Sequence, residues 1–197
     1  MKTDIILSGV GGQGILSVAT IIGEAATRIG LTLKQAEVHG MSQRGGDVQS
    51  NLRLSDGPIA SDLIPLGTAD MILSLEPMEA LRYLPFLSKD GWIITSNAPF
   101  KNIGNYPEDE ALMAELNALP HVIALDVNEL AKENHMPKCS NVILLGAAAA
   151  FFTLIDKDEL YKSIDRIFGA KGEAVVEMNH RALNIGYEYA QQMKNQK

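Results

Sequence analysis

The chain is 197 residues long, with 46% hydrophobic and 21% charged residues and a formal net charge of -7. That length fits one domain able to bury roughly 70% of the surface its unfolded form exposes, without staples. The acidic balance and the lack of a basic patch exclude a general nucleic-acid binder.

The single Cys139 can make no disulfide within the chain, and iron-sulfur clusters are held by sets of thiolates that it cannot supply. It reads as a small, partly buried residue without chemistry. His39, His121, His135 and His180 are scattered, with no H-x-x-x-H or H-E-x-x-H spacing, so no metal is expected. No serine lies in the G-x-S-x-G setting of a hydrolase nucleophile. The longest apolar run, 142–154, falls short of the roughly 20 residues of a membrane span and reads as a buried helix. The first strand follows directly on Met1-Lys2-Thr3, which leaves no space for a secretory leader, and a cytoplasmic location is expected.

In chain order, the apolar run Asp4-Ile5-Ile6-Leu7-Ser8 predicts a strand that breaks into Gly9-Val10-Gly11-Gly12-Gln13-Gly14. Ile15, Val18, Ala19, Ile22, Ala26 and Ile29 then recur at helical spacing, and Gly30 is placed to stop that helix. Residues 32–38 predict a second strand, completing a strand-helix-strand unit with a right-handed crossover. Val48, Ser50, Leu52 and Leu54 alternate with Gln49, Asn51 and Arg53 as in a half-buried strand, and Ser55-Asp56-Gly57 before 58–61 reads as a hairpin. Further strands are expected at 71–75 and 92–96, the latter entered through an Asp90-Gly91 turn, with a helix from Pro77 to Leu84 between them. Residues 98–107 read as a surface loop, 108–119 as a helix and 122–125 as a strand, with Asp126 or Asn128 capping a helix to His135. The segments 141–154, 157–168 and 173–194 all carry helical composition, and Ala147 to Ala150 would allow a close helix approach. No repeat or composition break divides the chain. The expectation is a single α/β domain over 1–197: a three-layer, Rossmann-like open sheet, mostly parallel with an antiparallel hairpin. Its C-terminal helices would cover the sheet or face a partner.

Gly9, Gly11 and Gly14 satisfy G-x-G-x-x-G at a strand-to-helix junction, where backbone N–H groups and a helix N-terminus can meet a phosphate. Glu37, at the end of the second strand, stands where an acidic side chain could hold a ribose hydroxyl. Taken alone this is a minimal dinucleotide signature, and a tight turn with close helix-strand packing accounts for the glycines equally well. Gln13 adds a side-chain amide, donor and acceptor together, that could touch a ligand or another loop.

The stretch Glu37-Val38-His39-Gly40-Met41-Ser42-Gln43-Arg44-Gly45-Gly46 gathers a carboxylate, an imidazole, an amide and a guanidinium among glycines. Arg44 could clamp a phosphate or carboxylate in forked geometry, or pair with Glu37 or Asp47 and merely order the loop. His39 reads more readily as a hydrogen-bonding loop residue than as an acid or base. If the two loops follow neighbouring parallel strands, they meet at the carboxyl edge of the sheet, where open α/β folds bind ligands and partners.

Together, G-V-G-G-Q-G-I at 9–15 and E-V-H-G-M-S-Q-R-G-G at 37–46 resemble the gamma-type domain of 2-oxoacid:ferredoxin oxidoreductases. More narrowly, they resemble the small (beta) subunits of indolepyruvate ferredoxin oxidoreductases. The likeness continues through Arg53, Ile64-Pro65, Ala69-Asp70, Glu76-Pro77, Glu79-Ala80-Leu81 and Gly91, covering most of 4–96. The C-terminal half matches in general character only.

The resemblance implies a subunit that supports oxidative decarboxylation of an aryl 2-oxo acid, typified by indolepyruvate, to an acyl-coenzyme A (CoA), with electrons passed to ferredoxin. Such chemistry uses thiamine diphosphate and 4Fe-4S clusters. Cys139 cannot supply the clusters, and no Gly-Asp-Gly with a following Asn marks a thiamine diphosphate site. The resemblance therefore implies that a large (alpha) partner subunit carries these cofactors, with no catalytic residue in this chain and no activity when it is isolated. Gly9, Gly11, Gly12, Gln13, Gly14, Glu37, His39, Gln43, Arg44, Gly45 and Gly46 become candidates to face the partner, its active site or CoA. Self-association of the isolated chain through its partner-facing surface stays open. The alternative is a stand-alone Rossmann-type dinucleotide-binding oxidoreductase resting on Gly9, Gly11, Gly14 and Glu37. It leaves the 37–46 cluster unused and supplies no hydride-transfer residue.

Overall fold

The computed structural model describes residues 1–39, 45–101 and 103–195, with the side chain of His39 outside the description. Strand β1 (Lys2–Val10) is buried from Thr3 onward on both faces. Such a strand belongs inside a sheet, and β1 lies third in the order β2-β3-β1-β4-β5-β6. The others are β2 (Thr32–His39), β3 (Asp47–Ser55), β4 (Ala69–Ser74), β5 (Leu87–Ser96) and β6 (Val122–Leu125). β1, β4, β5 and β6 run parallel, while β3 is antiparallel to both β1 and β2.

Strand alternation assigns the helices to two layers. Ile5, Leu7, Met71, Leu73, Ile94 and Ile123 pack with α1 (Ile15–Arg28), α4 (Val127–Glu133), α5 (Ser140–Ala149), α6 (Lys157–Phe168) and α7 (Glu173–Lys194). Ile6, Ile72, Ile93 and Val122 pack with the shorter α2 (Pro77–Arg82) and α3 (Asp109–Asn117). The expected three-layer α/β architecture is present, and the C-terminal helices cover the sheet.

Helix α1 ends as its sequence predicts. Gly30 takes φ +79, its N–H reaches Thr27 O at 3.1 Å and the Leu31 N–H reaches Ala26 O at 2.9 Å, the paired bonds of a glycine-terminated helix. The close helix approach comes from glycines rather than from the Ala147–Ala150 run. A Cβ on Gly146 would stand 2.0 Å from Leu183 O, and one on Gly186 would stand 1.8 Å from Ile143 O, so α5 and α7 cross backbone against backbone. Among the described residues no helix is long and apolar enough to cross a membrane.

Three local expectations are corrected. The antiparallel pair is β2–β3, consecutive in the chain, and 58–61 form no strand. Instead, Asp56 N–H bonds Met1 O and the following loop is tied across β3 by Arg53, whose Nη1 donates to Ser61 O and Leu63 O. Second, β1 and β2 point the same way but are not neighbours, because β3 is inserted between them. Third, Asp90-Gly91 lies within β5, not at a turn before it. Gly91 is needed there because a Cβ would meet Ala69 O at 2.8 Å, where the β4–β5 register shifts.

Candidate functional site

The carboxyl ends of β1 and β4 adjoin where the chain changes layers, with α1 leaving to one face and α2 to the other. Open α/β sheets bind ligands in the crevice at such a point. Here a side chain of the protein fills it. Gln13 Oε1 accepts the Val10 N–H at 2.7 Å, and Gln13 Nε2 donates to Leu75 O at 3.2 Å. Of the two uses the sequence left open for Gln13, contact with another loop is the one observed.

The glycines around it divide by role. A Cβ on Gly9 would sit 3.0 Å from Gln13 Oε1, so the bare Gly9 admits the carboxamide. Gly11 extends the β1–β3 ladder: its N–H reaches Gly46 O at 2.8 Å, and the Gly45 N–H reaches Gly11 O at 3.3 Å. The expected meeting of the two glycine loops is thus present, through Gly11, Gly45 and Gly46. Gly12 and Gly14 take φ +104 and +86, where a side chain would be strained. Gly14 also accepts Asn141 Nδ2 at 3.1 Å, which ties the start of α5 to the start of α1.

The other predicted residues are placed as follows. Glu37 and Leu7 both pair with Ser50, on its two sides, so Glu37 lies two strand spacings, about 9.5 Å, from β1. It is exposed and accepts Gln35 Nε2 at 2.8 Å. A dinucleotide signature needs that acid on the strand beside the glycine loop and needs loop N–H groups free for pyrophosphate. The first does not hold here, since β3 intervenes, and of the loop N–H groups those of Gly11 and Gln13 are taken, by Gly46 O and Val10 O. The backbone of His39 ends β2 opposite Val48; Gly40 to Arg44, including Gln43 and Arg44, lie outside the described residues.

Beside the filled crevice a cleft of about 360 Å³ opens between the glycine loop, the start of α4 and the start of α5. Gly12, Gly14, Asn128, Lys138, Ser140 and Asn141 contribute to its wall, and among the described residues no carboxylate does. The first turn of α1 has no acidic residue and no side-chain cap; the Ser17 N–H returns to Gly14 O at 3.1 Å, which leaves the earlier N–H groups of that turn for an anion. Lys138 is exposed and pairs with no described carboxylate. By contrast, Asp126 caps α4 by accepting the Asn128 and Glu129 N–H groups at 3.1 and 2.8 Å. Lys138, Ser140, Asn141 and Asn128 were missed as site residues. The polar run Lys138-Cys139-Ser140-Asn141 ahead of an apolar helix was their only signal.

Past the cleft, Glu76 is fully buried and gathers three donors. These are the Glu79 N–H at 2.8 Å, the Phe100 N–H at 3.2 Å and the Tyr106 hydroxyl, so Glu76 caps α2 and straps the 98–107 loop to the end of β4. Burial and the neighbouring Glu76 push the Tyr106 phenol far up, keeping it a donor. Burial also raises the Glu79 carboxyl, against the pull of Arg82. Cys139 is buried, with its thiol pushed up by that burial, consistent with a packing residue.

Comparison with known proteins agrees with this geometry. The family profile for Pyruvate ferredoxin/flavodoxin oxidoreductase matches residues 4–189. Indolepyruvate oxidoreductase subunit IorB of Archaeoglobus fulgidus is 35% identical over 96% of each chain. Among solved structures, a keto/oxoacid ferredoxin oxidoreductase gamma subunit from Geobacter sulfurreducens superposes with TM-score 0.71 at 25% identity, covering 96% of this chain and 99% of that one. The 2-oxoglutarate:ferredoxin oxidoreductase of Magnetococcus marinus superposes with TM-score 0.77 at 23% identity, covering 97% of this chain but 31% of that one. The chain belongs to the pyruvate ferredoxin/flavodoxin oxidoreductase family, and by length and alignment it stands among the small subunits of those 2-oxoacid enzymes.

Proposed function

We propose that the chain is the small subunit of a cytoplasmic, indolepyruvate-type ferredoxin oxidoreductase and that its carboxyl-edge cleft takes a phosphate-bearing part of CoA. The cleft carries this reading: the glycine-loop backbone just ahead of α1 and Lys138 line a space that no described carboxylate lines. That donor set fits a phosphate. The Magnetococcus marinus relative was solved with coenzyme A and succinyl-CoA bound, which supports the choice of CoA over other phosphate carriers.

Thiamine diphosphate and 4Fe-4S clusters belong to the large partner, since one cysteine cannot ligate a cluster. Thiamine diphosphate supplies carbanion stabilisation, and the clusters carry electrons to ferredoxin. The present chain binds and orients: the paired loops at Gly11, Gly45 and Gly46 form one surface at the edge where the partner's active site opens.

Co-purification from the native cell tests the assignment. A large, cysteine-rich, thiamine diphosphate-containing partner is expected, and its absence overturns the subunit reading. In the reconstituted complex, Arg44→Ala is expected to raise the KM for CoA. An unchanged KM with normal assembly removes the CoA role from that loop and leaves it to docking.

A further inference from the structure

We propose that Gln13 is a positioning residue whose carboxamide stands in for a missing continuation of β4, fixing Gly12 and Gly14, just ahead of α1, at the wall of the cleft. The inference rests on reading that cleft as a ligand site.

β1 and β4 pair from Ile5 opposite Met71 to Ser8 opposite Ser74, and the last backbone link is the Leu75 N–H to Ser8 O at 3.1 Å. The chain then leaves the sheet for α2, capped by Glu76. β1 continues to Val10, so the Val10 N–H points at a place where no strand remains. A primary amide offers the same donor and acceptor pair as a peptide group. Gln13 uses both, accepting from Val10 at 2.7 Å and donating to Leu75 O at 3.2 Å. Without it, two backbone groups at the crevice lose their partners. The loop then keeps its Gly45–Gly46 and Asn141 anchors but loses the one that fixes the glycine-hinged segment from Gly12 to Gly14 against β4.

The test uses the co-expressed complex with its large subunit. Gln13→Ala is expected to assemble, to raise the KM for CoA about three- to tenfold, as for loss of one or two neutral hydrogen bonds, and to leave kcat within about twofold. Gln13→Glu keeps the acceptor for Val10 but sets a carboxylate oxygen against Leu75 O. Its KM should therefore return toward wild type as pH falls and the carboxyl regains a donor proton, while the Gln13→Ala ratio stays flat. Lys138 in the cleft, Asp47 on β3 and Glu76 after β4 are the charged groups around this position, and they are common to all variants. Should Gln13→Ala not assemble, Gln13→Glu carries the test. An assembled Gln13→Ala complex with unchanged KM, or a Gln13→Glu ratio without a pH trend, overturns the positioning role. If Lys138→Ala and Arg44→Ala both leave the CoA KM unmoved, the ligand reading itself falls, whatever Gln13 does.

Discussion

The two ends of the β1–β3 pair are built from opposite materials. At the amino end of β1, Asp4 is 1% exposed and accepts Arg53 Nε at 2.8 Å, Arg53 Nη2 at 3.0 Å and Lys2 Nζ at 2.7 Å. Arg53 and Asn51, which accepts the Ile64 N–H at 3.1 Å, then strap the following loop over the sheet. At the carboxyl end, the loops are held by backbone groups and the neutral amides of Gln13 and Asn141. Fixed charge closes the first end; at the second, Asp47 and Glu76 stand outside the cleft wall, which carries Lys138 and no described carboxylate and so suits a negatively charged ligand. A carboxylate placed there would repel an anion.

Breaking the closed end should have the largest effect. Removing one partner of a buried ion pair costs about 3–5 kcal/mol, so Asp4→Ala should lower Tm by roughly 10 °C in a chain of this size. Burial opposes the Asp4 charge, but hydrogen bonds from Arg53 and Lys2 prevail and hold the carboxyl below its usual range. With the folded value depressed, its stabilisation is present above the ordinary carboxylate value of about 3.9 and is lost as pH falls through the folded value. The variant should therefore lose part of the acid limb of stability, measured by urea unfolding between pH 5 and pH 2, about the range in which such a group titrates. An unaltered acid limb would mean that the pair is not what locks this end.

At the open end the effects are smaller, and two glycines separate strain from contact. Gly14→Ala must hold alanine at φ +86 with a Cβ 2.8 Å from Asn141 Nδ2. Left-handed strain of about 1–2 kcal/mol and a lost hydrogen bond of about 1 kcal/mol sum to about 2–3 kcal/mol. Gly12→Ala meets strain alone, since nothing lies within 4 Å of its added Cβ, and should cost about 1–2 kcal/mol. Equal costs, read from urea midpoints, would show that Asn141 does not anchor the loop.

Element types along β1, α1, α6 and α7 were legible because apolar periodicity and glycine stops are local signals. The meeting of the two glycine loops was legible too, although the reason given for it was wrong. Sequence order placed β2 beside β1; only long-range pairing inserts β3 between them and makes β2–β3 the antiparallel pair. The role of Gln13 depends on β4 ending two residues before β1, a register that no local pattern encodes. Gly186 gave no signal either, because its need arises from Ile143 O on another helix. Lys138 and Asn141 belong to the half of the chain without a motif, and tertiary contact alone brings them to the glycine loop.

The smallest expected change in stability belongs to the residue with the clearest charge role at the open end. Lys138 is exposed and packs into no core, so Lys138→Ala should alter stability by no more than about 0.5 kcal/mol. Its effect should appear in binding instead: a higher KM for CoA in the assembled complex, with kcat held. Because an exposed cation acting on a phosphate is screened by salt, the wild-type KM should rise with ionic strength and the variant's should rise less. Parallel salt dependence in the two proteins would show that Lys138 does not meet the ligand. The open end would then owe any affinity it has for an anion to backbone dipoles alone.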